Sequence, residues 1–367
     1  MKISIAKEDL VYGLQMVQSV VGARSTLPIL SNVLVVAGDK KLELRATDLE
    51  VSVHVSVSAR IEREGATSLP AKRLFGLVRE LEATEVEIEV NDKEVATIQA
   101  GAAKYKFHGI GADEYPKEAK FKESGKIKVT QSTFREMLRK TAYAVSTDES
   151  RHVLNGIHLV VEEERITLVA TDGRRLALVE EEIEGGTKAE IIVPNKAVGE
   201  LQRLMQGEGE IEIGIGKTHA EFTLPQERGE AVRLHSKLVE GNYPNFKQVI
   251  PAESQQRITL IKEELNQALR RADQITSDKA NSVKLKFSEN NLSITANTPE
   301  VGSGRESLAI NYEGPEIEVA FNPTYLMDPL KVLEGEEIYL EITDSLSPGV
   351  IKSNTPFLYV IMPMRTN

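Results

Sequence analysis

The sequence predicts an α+β protein made of three similar domains in tandem, each with helices on one side and strands on the other. Three observations predict it. Short segments recur in the same order at nearly constant offsets. Helical and strand periodicities alternate in the same way within each recurrence. Polar joints separate the copies. Ala46-Thr47-Asp48 returns as Ala170-Thr171-Asp172, and Leu69-Pro70-Ala71-Lys72 returns as Val193-Pro194-Asn195-Lys196, both 124 residues on. Tyr115-Pro116 returns as Tyr243-Pro244 after 128 residues. A more diverged third copy carries Ala296-Asn297-Thr298, Phe321-Asn322-Pro323-Thr324 and Met362-Pro363 in the same order. Ordered matches of this kind mark a repeated architecture.

Each copy opens with a short strand and an amphipathic helix. Leu10, Leu14, Val17 and Val21 make the apolar stripe of the first, Phe134, Leu138, Ala142 and Val145 that of the second, and Leu265, Ala268, Leu269 and Ala272 that of the third. Strands follow, clearest at Val51, Val53, Val55 and Val57, where period-two alternation predicts a half-buried strand. A second helix then opens at residues 71, 195 and 323. Alternating strands such as Val86, Ile88, Val90 and Ile211, Ile213, Ile215 close the copies. The six helices are expected over 7–20, 71–81, 132–146, 195–205, 262–275 and 323–333. The joints Lys117–Ile127 and Pro251–Gln256 set domains at 1–121, 122–252 and 253–367.

Composition narrows the class. The chain has 367 residues, 41 % hydrophobic and 28 % charged, which suits a soluble globular protein. No apolar run is long enough to span a membrane, and MKISIAKEDL lacks the apolar centre of a signal peptide, so the cytoplasm is the expected location and no membrane partner is expected. With no cysteine there are no disulfides, thiolate metal sites or Cys nucleophiles.

Signals for catalysis fail on inspection. Gly214-Ile215-Gly216-Lys217-Thr218 ends like a phosphate-binding loop, but Ile211 stands where that loop needs Gly, and the segment lies in a strand pattern that predicts a hairpin turn. The six histidines show no metal-ligand spacing, so no metal and no cofactor is expected. Asp172 has a repeat partner in Asp48, which points to a turn former. Gly173-Arg174-Arg175-Leu176 has no such counterpart in Leu49-Glu50-Val51 and is the better functional candidate.

Charge is unevenly placed. The net formal charge is −11, yet the six expected helices carry 13 Lys and Arg against 9 Asp and Glu. Modestly basic helices in an acidic body suit loose, sequence-independent contact with a polyanion. Tandem two-layer domains with unlike ends, joined head to tail, close into a ring if the rotation between them permits. Ala103-Lys104-Tyr105-Lys106-Phe107-His108 alternates basic and aromatic residues and reads either as a joining edge strand or as an internal strand of the first domain. Two other readings stay open on the residues alone: an acidic adaptor that never meets DNA, and an enzyme whose acid–base pair is not visible.

Several segments together resemble a known family. They are Thr26-Leu27-Pro28-Ile29-Leu30-Ser31-Asn32, Ala46-Thr47-Asp48-Leu49-Glu50, Leu154-Asn155-Gly156, Ala170 to Ala177, Ser236 to Gly241 with Tyr243-Pro244, and Val360 to Arg365. In that order over the full length they resemble the bacterial DNA polymerase III β subunit, the sliding clamp. The resemblance implies a DNA-clamp fold with no catalytic activity, in a homodimeric ring of six domains around duplex DNA. Its helices line the inside and its sheets lie outside. It also implies partners: the replicative polymerase, the clamp loader and other replication and repair proteins carrying a short clamp-binding peptide. The family's peptide cleft falls here on Arg151, Leu154, Thr171, Gly173, Arg174, Arg175, Leu176, Pro244 and Val249. It continues on Asn322, Tyr325, Leu346, Pro348, Val360, Ile361, Met362, Pro363, Met364 and Arg365. Arg175 and Arg151 are expected at its edge. DNA-facing residues fall on Arg24, Arg73, Lys196 and Arg271, and the dimer joint on Tyr105 and Phe107 against Ile275. This chain departs from relatives in Arg174 for His, Val153 for an aromatic, Pro348 for Ser, and a Thr366-Asn367 extension.

Overall fold

The computed structural model describes all residues except 23–26, 119–120, 227, 229, 253, 278–280 and 366–367. The chain divides into two compact units. The first holds Met1–Arg135, Ile183–Ala189 and Val193–Val239. The second holds Glu136–Glu182, Glu190–Ile192 and Glu240–Asn367. This division cuts through the second repeat, and strand pairing explains it. In the first unit Val51–Ser58 of repeat one pairs antiparallel with Val232–Lys237 of repeat two, Val53 opposite Leu234. In the second unit Arg175–Glu182 of repeat two pairs with Phe357–Ile361 of repeat three, Leu176 opposite Val360. The same seam is thus made twice, each time between successive repeats, so the backbone ladder crosses the repeat boundary.

The first unit has two sheets. One runs Arg60–Arg63, Lys2–Ala6, Glu85–Val90, Val95–Ala100, Ala103–His108, which leaves Ala103–His108 at an edge. The other has nine strands and contains the seam. Val51, Val53, Val55 and Val57 are buried on one face of it, as their alternation predicts. Gly216 ends one strand and His219 begins the next, so the loop-like Gly-Lys-Thr segment is a hairpin turn. The second unit runs Gly156–Glu162, Arg165–Thr171, Arg175–Glu182, Phe357–Ile361, Gly349–Lys352, Glu337–Ile342 and Gln256–Ile261 side by side. Its four-stranded sheet runs Gly302–Ala309, Asn291–Thr298, Val283–Ser288, Ile317–Phe321, with Gly302–Ala309 at an edge.

Six α-helices occur among the described residues: α1 (Lys7–Val17), α2 (Ala71–Glu80), α3 (Gln131–Thr141), α4 (Asn195–Leu204), α5 (Lys262–Asp273) and α6 (Pro323–Val332). Three of the starts follow from proline. Pro70 and Pro194 hold φ at −58° and −61° just ahead of α2 and α4. Pro323 takes the first position of α6, where the missing N–H costs nothing. The helix expected over 132–146 ends earlier, because the chain tightens into a 3-10 turn at Ala142–Ala144. That turn points the carbonyl of Tyr143 at Arg175, which donates to it at 2.6 Å.

Candidate functional site

The turn Thr171–Arg175 lies in the second unit, and Asp172 builds it. Its Oδ1 accepts the backbone N–H of Arg174 at 2.8 Å and of Arg175 at 3.1 Å. Thr171 Oγ1 accepts the Gly173 N–H at 3.0 Å and donates to the Arg175 carbonyl at 2.5 Å. Gly173 takes φ 84°, and a Cβ there would lie 2.9 Å from Arg151 Nη1. The first repeat makes the same turn from the equivalent side chains. Asp48 Oδ1 accepts the N–H groups of Glu50 at 3.0 Å and Val51 at 2.8 Å, and Thr47 Oγ1 accepts that of Leu49 at 3.1 Å. The shared Asp is therefore a turn former in both copies, and the turn itself requires no arginine.

Arg175 does not stand at the edge, as expected of it, but is 10 % exposed. Its Nε donates to Asp172 Oδ2 at 3.1 Å, Nη1 to Asp328 of α6, and Nη2 to the Tyr143 carbonyl. The guanidinium carbon lies 4.3 Å from the centroid of the Tyr325 ring and 5.7 Å from that of Tyr143. Burial opposes its charge, yet Tyr359, Asp328 and Asp172 hold its pKa above the ordinary arginine value. Arg175 is the internal tie between the turn, the 3-10 turn and α6. Arg151 is half-exposed and also engaged: Nε donates to Asp148 at 3.0 Å and Nη1 to the Asp172 carbonyl at 2.8 Å. Arg174 is exposed, and its side chain has no partner among the described residues.

Around this turn lies an apolar floor. Leu154, Leu176, Val360 and Ile361 are buried, while Thr171, Met362 and Pro363 are half-buried. The chain beyond Ile361 is held by two backbone bonds, Met362 N–H to the Arg174 carbonyl at 2.9 Å and Met364 N–H to the Ala320 carbonyl at 2.7 Å. Large apolar side chains are exposed at Val249, Met364 and Leu346, the last at 76 %. Asp344 presents Leu346 by accepting the N–H groups of Leu346 and Ser347 at 2.8 and 2.7 Å. Pro244 and Arg365 are exposed, and Pro348 and Tyr325 half-buried. Asn322 is committed to capping α6, accepting from Thr324 and Tyr325 N–H at 2.9 and 3.3 Å. Sequence reasoning missed Tyr143, Asp328 and Tyr359, which hold Arg175 and Tyr325 in place. Asp328 lies 153 residues from Arg175, and no local pattern joins them.

The expected joint residues fall on open edges. Tyr105 is 45 % exposed and Phe107 half-buried on the edge strand Ala103–His108. Ile275 is half-buried beneath the edge strand Gly302–Ala309, where a Cβ on Gly304 would lie 3.2 Å from its Cγ1. Of the DNA-facing expectations, Arg24 lies outside the described residues. Arg73 on α2 is exposed with no side-chain partner among the described residues. Lys196 on α4 pairs with Asp48, and Arg271 on α5 forms a two-nitrogen pair with Glu306 at 2.9 and 2.6 Å. Arg270 beside it is exposed, with no side-chain partner among the described residues.

The fold matches solved structures along its whole length. A sliding clamp (DNA polymerase III subunit beta) from Bartonella birtlesii, bound to griselimycin, superposes with a TM-score of 0.94 at 32 % identity, covering 100 % of both chains. The polymerase sliding clamp of Bacillus subtilis does so with 0.94 at 30 %, again over 100 % of both. The protein is thus of the sliding-clamp class, a scaffold that works by binding. Family models for the N-terminal, central and C-terminal domains of the DNA polymerase III beta subunit match residues 1–119, 128–245 and 247–365. The beta sliding clamp of Chlamydia muridarum is 34 % identical over 100 % of this chain and 99 % of its own. The chain belongs to the DNA polymerase III beta subunit family: it is a DNA sliding clamp, a non-catalytic processivity factor. Among the described residues no helix is long and apolar enough to cross a membrane.

Proposed function

We propose that two copies of this chain close head to tail into a ring around duplex DNA. Each copy contributes three clamp domains, 1–121, 122–252 and 253–367. The observation that carries this is the pair of uncovered edges, Ala103–His108 in one sheet and Gly302–Ala309 in another. Their unpaired N–H and C=O groups suit strand addition between copies, with Tyr105, Phe107 and Ile275 as the apolar part of the joint. Arg73, Lys196 and Arg271 face the DNA in this reading. Lys196 and Arg271 do so already partly neutralised by Asp48 and Glu306, which suits weak, sliding contact. The apolar cleft from Leu154 to Arg365 takes short peptides of the replicative polymerase, the clamp loader and other replication and repair proteins. A ring that acts on chromosomal DNA works, in this reading, in the bacterial cytoplasm.

The test is topological. Protein placed by its loader on nicked circular DNA stays bound through gel filtration and is lost once the circle is cut. Equal retention on both forms would overturn encirclement.

A further inference from the structure

One face of the first unit's seam carries a row of basic residues that the second unit's seam lacks. Arg45 of Lys41–Thr47 stands opposite His54 of Val51–Ser58, and His54 stands opposite Arg233 of Val232–Lys237. The three share one register line across three neighbouring strands, on the face turned away from the buried Leu44 and Val53. Like charges set opposite each other destabilise a sheet. The corresponding line in the second unit is Val169, Leu178 and Leu358. The fold therefore closes this seam with apolar side chains and has no need of arginine there. The basic row borders a cavity of about 300 Å³ whose wall includes Leu34 and Val36.

Both guanidinium groups lack a carboxylate. Arg45 is held in place by other means: Nη2 donates to the Pro116 carbonyl at 2.6 Å, and the guanidinium carbon lies 5.1 Å from the centroid of the Tyr115 ring. Its Nε is buried with no partner among the described residues, a cost the fold carries. Arg233 is exposed and makes no hydrogen bond or ion pair among the described residues. Glu230, whose charge it feels, is paired with Lys41. Two carboxylates line the same cavity. Glu118 is engaged by His54 at 2.8 Å and by His235 at 3.3 Å. Glu43 is exposed and limits the negative charge the cavity accepts, which favours one phosphate over a polyphosphate or a nucleic-acid strand.

We propose that this cavity binds a small phosphate monoester, its phosphate held between Arg45 and Arg233 and its organic body against Leu34 and Val36. A tetrahedral phosphate presents oxygens in several directions, so two guanidinium groups on different strands share it, whereas a planar carboxylate satisfies one. The two positive charges match its two negative ones. None of these residues belongs to the proposed joint or to the proposed peptide cleft.

The experiment is calorimetry of the full-length protein with phenyl phosphate, inorganic phosphate, phenol and chloride at one fixed ionic strength. Phenyl phosphate is expected to bind more tightly than inorganic phosphate, with no heat from phenol or chloride. Arg233→Gln should weaken both phosphates about tenfold, and Arg233→Lys should keep part of the affinity. Arg45→Val with Arg233→Leu places on this line the residue types that the second unit carries on its own, so it folds by circular dichroism and binds neither phosphate. Phosphate that binds no better than chloride would reduce the row to screened charge and overturn the proposal. Affinity unchanged in Arg233→Gln and in the double variant would place the phosphate elsewhere. Inorganic phosphate bound as tightly as phenyl phosphate would overturn the monoester and leave a site for the bare anion. Variants that lose affinity for a duplex oligonucleotide while keeping phosphate binding would assign the row to nucleic acid instead.

Discussion

Leu49 is the only apolar residue, among those described, held at positive φ other than glycine, at 79°, and it is 46 % exposed. Its repeat partner is Gly173 at 84°. The left-handed conformation costs an ordinary L-residue about 1–2 kcal/mol, against about 0.5–1 kcal/mol of extra chain entropy for glycine. Leu49→Gly should therefore raise unfolding stability by up to about 1 kcal/mol in urea titration. A clear loss would show that the half-exposed side chain contributes more by packing than its conformation costs. A second residue sets a pH dependence. Glu118 Oε1 lies 2.8 Å from His54 Nε2 and 3.3 Å from His235 Nδ1, across the seam of the first unit. Burial would raise its pKa, but hydrogen bonds from His235 and His54 outweigh it and hold the carboxyl well below its ordinary value of 4.5. A depressed carboxylate stabilises the fold above its unfolded pKa and stops doing so as pH falls through the folded one. Wild type should thus exceed Glu118→Gln in thermal stability at pH 6 to 7, and the gap should close well below pH 4.5. A gap that is constant with pH would mean that the charge is not its source.

At the scale of elements, the second unit is held by one side chain acting on three of them. Arg175→Ala would leave the Tyr143 carbonyl without its donor and Asp328 with Lys331 alone. Breaking a buried pair by removing one partner costs about 3–5 kcal/mol, and because Lys331 still pairs with Asp328, denaturant unfolding should show a loss at or below the low end of that range. The terminal segment is different, since Met362 and Met364 are tied down through backbone bonds, with Met362 half-buried and Met364 exposed. Met362→Ala should cost about 1–2 kcal/mol of peptide binding while unfolding stays nearly unchanged. Equal losses in binding and stability would make Met362 a core residue rather than an anchor.

For the whole molecule, the decisive prediction concerns assembly. Phe107→Glu places a charge in the apolar part of the proposed joint, at a cost of several kcal/mol in order of magnitude. Sedimentation at micromolar concentration should then give monomers with the fold intact. Persisting dimers would locate the joint elsewhere. The proposed peptide cleft lies on other strands, so calorimetry should find peptide binding unaffected in the same variant.

Much of this was decided by the sequence alone. Three ordered recurrences set the repeat. Proline at positions 70, 194 and 323 set where helices begin, because its fixed φ and missing N–H act locally whatever the surroundings. The valine alternation at 51–57 set which face is buried, and Asp48 and Asp172 set their turns through bonds two and three residues away. What the sequence left open was everything that depends on residues far apart. Arg174 and Arg175 are adjacent and chemically alike, and their order along the chain assigns neither a role. The tertiary structure decided between them by bringing Asp328 and Tyr143 to one guanidinium and, among the described residues, no side-chain partner to the other. It likewise drew the compact units across the second repeat, because strand ladders join successive copies more tightly than chain continuity joins the halves of one. Local chemistry is written in neighbouring residues; pairing over 153 positions is fixed only when the sheets and helices have packed.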